Sequence, residues 1–230
     1  MCLNKSDNPD NHKSMTPPLL KNEIFDLFQH FKTPQDNFSV AVDWHSINTF
    51  GRNFLGFKTK IITDRIDLGL TCVMFDRQNQ MTDLVCSSKF NSWLIKNSFP
   101  LGKNTSKDKA FRHFDYESKA DIHYKQVLYI ELQKISNEVD HIYFYLCFDL
   151  RKIKSPDFSN VNSLKLTALS GAAQNKIISE QDIRTEKSCK ENEGVMILAK
   201  LYRENEKWKF TTIGKAITES TFIRFTKGIQ

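Results

Sequence analysis

The sequence predicts an all-β fold, an antiparallel β-sandwich of two sheets with an added N-terminal helix. Three observations carry this. Asp67 to Asp76 and Leu201 to Phe210 are alternating apolar runs interrupted or ended by polar turns, as expected of strands with one buried face. His141 to Leu150 is apolar on both faces, with Ile142, Phe144, Leu146 and Phe148 on one and Tyr143, Tyr145 and Cys147 on the other. It reads as a central strand. No strand–helix–strand alternation appears, which argues against a parallel α/β fold.

Residues 1–18 are polar, end in Pro17-Pro18 and are expected to be a disordered tail. Leu20, Ile24, Phe25, Leu27, Phe28 and Phe31 recur at helical spacing, so 19–31 is expected to be an amphipathic helix, ended by Thr33-Pro34. Its charges, Lys21, Glu23, Asp26 and Lys32, are mixed, which favours packing on its own domain over lying on a membrane. Strands follow at Phe38–Trp44 and Asp67–Phe75, with a weaker one at Asp83–Phe90. Residues 91–112 read as a polar, lysine-rich connection. Further strands are expected at Lys125–Leu132, His141–Leu150 and Val161–Leu169. Residues 181–192 read as a loop or a brief helix, and Gly194–Tyr202 and Lys207–Ile213 as a closing hairpin. The expected organisation is a tail and helix over 1–36, then a sandwich over 37–226 with an insertion at about 91–112.

Composition narrows the function classes. The chain has 230 residues, 40% of them hydrophobic and 18 of them Phe, enough to fill the core of one domain. No apolar run approaches the roughly 20 residues a transmembrane helix needs. Met1 to Ser14 has no apolar signal region, so a cytoplasmic protein without a transmembrane segment is expected. The cysteines, Cys2, Cys72, Cys86, Cys147 and Cys189, are odd in number and contain no Cys-x-x-Cys pair. That argues against a disulfide framework or a zinc knuckle. Cys72 and Cys147 lie in apolar strands and read as small core residues.

The net charge is +6, and Lys89, Lys96, Lys103, Lys107, Lys109, Arg112, Lys119 and Lys125 crowd the middle of the chain. A basic surface suits an anionic partner such as nucleic acid or an anionic membrane surface. Interspersed Asp108, Asp115, Glu117 and Asp121 dilute the field, and an ordinary solvated surface explains the same pattern.

Enzyme signatures are lacking. Only 8 Gly occur, without a Gly-x-Gly-x-x-Gly or Walker-type loop. Leu169-Ser170-Gly171 lacks the Gly that precedes the Ser of a nucleophile elbow. His113-x-Asp115 and Asp121-x-His123 could meet as an acid–base or metal pair, but such dipeptides arise easily by chance in a polar loop. Tyr143-Phe144-Tyr145 could stack bases of single-stranded nucleic acid, and core packing explains it more simply. No catalytic residue is assigned, and the chain is not expected to be an enzyme.

The wording of several segments is specific. Asp67-Leu68-Gly69-Leu70-Thr71 has an Asp-Leu-x-x-Thr opening. Ile130-Glu131-Leu132-Gln133-Lys134-Ile135 precedes Val139-Asp140-His141-Ile142, and Asp157-Phe158-Ser159-Asn160-Val161 follows. Tyr202-Arg203 is followed by Trp208-Lys209-Phe210 and then Gly214. Together these resemble the TerD family of tellurium-resistance and stress-response proteins, from about Phe38 to Phe222. The resemblance implies a β-sandwich with calcium bound in acidic loops at one end. It also implies work in assemblies with other resistance or stress-response proteins near the membrane.

The acidic positions match the family only in part. Asp67 keeps the first acid of the family's Asp-x-Asp, but Gly69 stands at the second. Asp115 keeps the acid of a Gly-Asp pair, with Phe114 for the Gly. Tyr124-Lys125-Gln126 replaces an acidic run, and Asp43-Trp44-His45 stands for Gly-Trp-Asp. Calcium takes six to eight oxygen ligands. Two readings follow. Asp67 and Asp115, helped by Glu117 and Asp121, hold calcium, or these acids are turn formers on a domain that has lost its metal. The functional expectation is a TerD-like stress-response or tellurium-resistance binding protein with a degenerate calcium site. The alternative is a metal-free interaction module that holds nucleic acid, anionic lipid or an acidic protein on Lys103, Lys107, Lys109 and Arg112.

Overall fold

A computed structural model describes residues 24–27, 37–52, 58–63, 68–116, 124–148, 158, 161–170, 176–183 and 193–228. The strands are β1 (Ile24–Asp26), β2 (Phe38–Arg52), β3 (Lys58–Thr63), β4 (Leu68–Phe75), β5 (Met81–Val85) and β6 (Phe111–Asp115). They continue as β7 (Gln126–Ile130), β8 (His141–Phe148), β9 (Val161–Ser170), β10 (Lys176–Asp182), β11 (Val195–Glu204) and β12 (Lys207–Ile217). Two short helices are described, α1 (Asn91–Lys96) and α2 (Glu219–Thr226). The strands form two sheets, ordered β1-β12-β11-β8-β4-β5 and β10-β9-β2-β7-β6, with β3 paired to the far half of β2. Every described strand pair is antiparallel. The expected sandwich is what forms.

The alternation of β8 decides the layering. Ile142, Phe144, Leu146 and Phe148 point between the sheets, where they share one core with Phe38, Val40, Leu128 and Ile130 of the second sheet. Tyr143, Tyr145 and Cys147 point outward into a separate apolar layer with Phe75, Phe90, Leu94, Phe99 and Phe222. The central strand is apolar on both faces because the α1 segment and α2 cover its outer side. Thr218 starts α2 by accepting the Thr221 N–H at 3.2 Å, an ordinary N-cap. The β11–β12 hairpin turns on Asn205 and Glu206, both with positive φ (51° and 63°), which matches the twist of the flanking strands.

Four expectations change. Ile24–Asp26, inside the expected helix, is strand β1, paired with Lys209–Thr211 on the edge of the first sheet. The open hydrogen-bonding edge of β12 outweighs the helical period there. Leu27 is helical and buried, while residues 1–23 and 28–36 lie outside the described residues. The expected strand Asp83–Phe90 ends at Val85, because Ser87 caps a short 3-10 turn over Ser88–Phe90. The polar connection at 91–112 contains α1 and the start of β6, since Phe90, Leu94 and Phe99 bury on the outer layer. Finally, β10 forms where no strand was expected before 181. Only its Ile178 and Ser179 are buried, so its sequence carries no alternation. Most of the loop expected at 181–192 lies outside the described residues.

Candidate functional site

The end of the sandwich that the sequence singles out is organised by Gln126, the first residue of β7. Strand β5 pairs β4 only from Cys72 to Phe75. The backbone of Leu68 and Leu70 therefore faces past the end of β5, toward the other sheet. Gln126 reaches across and takes the missing strand's place. Its Oε1 accepts the Leu70 N–H at 2.6 Å, and its Nε2 donates to the Leu68 carbonyl at 3.0 Å. The side chain is wholly buried. A buried backbone donor and acceptor are satisfied at once, and the two sheets are joined.

Two further groups use the same amide. His113 Nε2 lies 3.3 Å from Gln126 Oε1, and since that oxygen can only accept, His113 must present Nε2–H. Gln126 Nε2 also lies 3.4 Å from Asp115 Oδ2. Lys89, from the 3-10 turn before α1, places its Nζ 3.3 Å from the same Asp115 oxygen. The site is thus a chain of contacts, Lys89 to Asp115 to Gln126 to β4, with His113 alongside.

Burial pushes the His113 pKa down, more than Gln126 and Asp115 raise it. Burial also lowers His141, against the pull of Asp140, whose Oδ2 is 3.1 Å from its Nδ1. Both rings stay neutral in the folded protein where an unfolded histidine, with a pKa of about 6.5, would gain a proton. A lowered folded-state pKa gives stability that is present above the unfolded pKa and lost as pH falls through the folded one. Denaturant melts should therefore show stability falling as pH drops below about 6.5. Replacing His113 by glutamine should flatten that fall. An unchanged profile would show that His113 does not titrate with unfolding.

Of the expected metal residues, Asp115 alone is among the described residues. Asp67, Glu117 and Asp121 lie outside them, as does His123. Asp115 is described, and the neighbours given above are nitrogen donors. No group of three or more His, Cys, Asp or Glu able to hold a metal ion occurs among the described residues. Lys125 turns away from Asp115, donating to the Trp44 carbonyl with its ammonium 5.0 Å from the Trp44 ring centre. Gly69 faces the outer layer, and a Cβ there would lie 2.1 Å from the ring of Phe90.

The expected anion-binding residues separate into two places. Lys103 Nζ pairs with Asp83 at 2.6 Å, and Lys107 donates its backbone N–H to the same carboxylate at 2.8 Å. The Lys107 ammonium donates to the Thr82 carbonyl at 3.1 Å. Arg112 instead pairs with Glu131 at 2.5 Å, and its guanidinium lies 4.9 Å from the Tyr129 ring centre. Lys109 occupies a turn with φ 59°, where its N–H donates to the Ser106 carbonyl. These side chains organise their own loop around Asp83 and Glu131. Sequence reading missed Gln126 and Lys89 as site residues. The available signal was a lone amide opening an apolar strand, Gln126-Val127-Leu128.

Elsewhere, a cleft of about 480 Å³ lies between α2 and the β4–β5 turn, with Phe75, His141, Arg224 and Phe225 among its lining residues. No described helix is long and apolar enough to cross a membrane.

Residues 94–222 match the model of a family described as the TerD domain. Two solved structures are similar. One is of a protein of unknown function, SAV2460, at 14% identity and a TM-score of 0.55, covering 86% of this chain and 100% of that one. The other is of a homologue of telluride resistance protein (TerD) from Streptomyces coelicolor A3(2), at 10% identity and a TM-score of 0.56. That likeness covers 85% of this chain and 98% of the other. No curated protein matches the chain.

Proposed function

The chain belongs to the TerD family, and on that premise we propose that it serves tellurium resistance or the stress response by binding, without catalysing a reaction. The observation that favours binding is the state of its reactive side chains. A cysteine attacks as a thiolate. Burial pushes the thiol of Cys86 up to about 12 and those of Cys72 and Cys147 up as well. None of the three described histidines pairs with a nucleophile in these contacts: His45 lies 4.0 Å from an Asp43 oxygen, His113 bonds Gln126, and His141 bonds Asp140 and stacks on Phe75. A general base needs its nucleophile within hydrogen-bond reach.

The partners proposed are other resistance or stress-response proteins in the cytoplasm, a reading that rests on the family. The cleft beside α2 offers such a partner both aromatic surface and the Arg224 guanidinium. The alternative, an anionic partner held on the basic segment, stands second. It would have to compete with Asp83 for Lys103 and with Glu131 for Arg112.

Complementation tests the proposal. Cells lacking this protein should become more sensitive to tellurite or to general stress, and the wild-type chain should restore them. A chain carrying Cys86→Ala and His113→Gln should restore them as well, because no reaction passes through these groups and neither lines the cleft beside α2. Loss of rescue by that variant, with its fold and level intact, would point to catalysis and overturn the proposal.

A further inference from the structure

We infer that Lys89 is a tethered cation that takes the place of a metal ion at Asp115, so that this end of the sandwich is closed without calcium. The inference rests on the family reading only for the expectation that a metal belongs here. The argument against one comes from three neighbouring contacts.

The first is charge. The Lys89 ammonium lies 3.3 Å from Asp115 Oδ2, close enough to neutralise it. A divalent cation brought to the same oxygen would meet a like charge at short range. Lys89 is also held by its backbone. Its N–H bonds Ser87 Oγ at 3.4 Å, and the next residue, Phe90, is buried in the outer layer.

The second is donor polarity. Calcium requires oxygens. Gln126 turns its N–H toward Asp115, and it cannot rotate to offer oxygen instead, because Oε1 is committed to the Leu70 N–H at 2.6 Å. Reversing the amide would set N–H against N–H at Leu70 and oxygen against oxygen at Leu68.

The third is space. Gly69 stands where the family pattern places a second acid, and the ring of Phe90 rests on it. A Cβ at 69 would lie 2.1 and 2.3 Å from two ring atoms. A carboxylate there is excluded while Phe90 keeps its seat. Two consecutive residues, Lys89 and Phe90, therefore supply the cation and fill the vacated ligand position. Binding by this protein should accordingly be insensitive to calcium.

The test is thermal melting and calorimetry of the chelator-treated full chain with calcium, with magnesium as control. The wild type should give no calcium-specific heat and an unchanged Tm at millimolar calcium, since a ligand of the folded state must raise it. Lys89→Met should lower Tm by up to about 4 °C at low salt, the upper bound for a partly exposed pair in a domain of this size. Combining Lys89→Met with Asp115→Asn should lower Tm by less than the sum of the two single shifts. A calcium-specific rise in the wild type that Asp115→Asn abolishes would overturn the inference, and so would strict additivity of the two substitutions. Either outcome leaves the complementation result, and the binding role it tests, standing.

Discussion

Replacing Gln126 by leucine is expected to destabilise the protein by about 3–5 kcal/mol, the largest effect of any substitution at this site. Leucine fills much of the volume but leaves the Leu70 N–H and the Leu68 carbonyl buried without partners. An unsatisfied buried group costs about 1–3 kcal/mol. Two such groups, with the loss of the His113 contact, give the stated range. The cost should be local as well as global. Hydrogen exchange at the Leu70 amide should lose protection more than exchange at Leu146, its partner on β8. Urea melts and amide exchange together check this. A loss below about 1 kcal/mol would mean that water or a neighbouring group replaces the amide, and that Gln126 is not what joins the sheets here.

Truncating Phe222 to alanine is expected to cost a further class of energy, about 3–5 kcal/mol from lost burial and the cavity left behind. Phe222 fastens α2 to the outer layer. Its ring lies edge-on to Tyr145 at 4.8 Å, and 5.9 Å and 6.1 Å from Trp93 and Phe99. Trp93 in turn donates Nε1–H to Glu219 of α2 at 2.5 Å. Losing Phe222 should therefore loosen α2 and the α1 segment together and change the fluorescence of Trp93. The inner core between the sheets is a separate cluster, so the circular dichroism of the strands should persist below the melting transition. Equal stability of wild type and variant would show that α2 rests on the sheet without supporting it.

Neither effect is announced by a local sequence pattern, since both depend on contacts between separate elements. The inner face of β8 was legible because alternation in a strand reports burial directly, and Ile142, Phe144, Leu146 and Phe148 bury as the pattern requires. The hairpin at Asn205-Glu206 and the strands β4, β9, β11 and β12 were legible for the same reason. The polar edge strand β10 and the first residues of β6 carried no comparable signal. Their strand character comes from pairing with the neighbouring strand of the chain, Lys165 to Ser170 for β10 and Gln126 to Ile130 for β6.

The site divides along the same line. From its own composition and wording the chain settles its fold class and its family, and it displays Gly69 and Lys125-Gln126 where the resemblance leads one to expect acids. Those properties reside in residue types and short spacings, which a linear sequence displays. The tertiary structure alone brings Lys89 and Gln126 to Asp115. Lys89 and Asp115 are 26 residues apart, and Gln126 is 56 residues from Leu70. No local period links them. Their charges and amides meet only because the two sheets pack face to face and β5 stops short of Leu70.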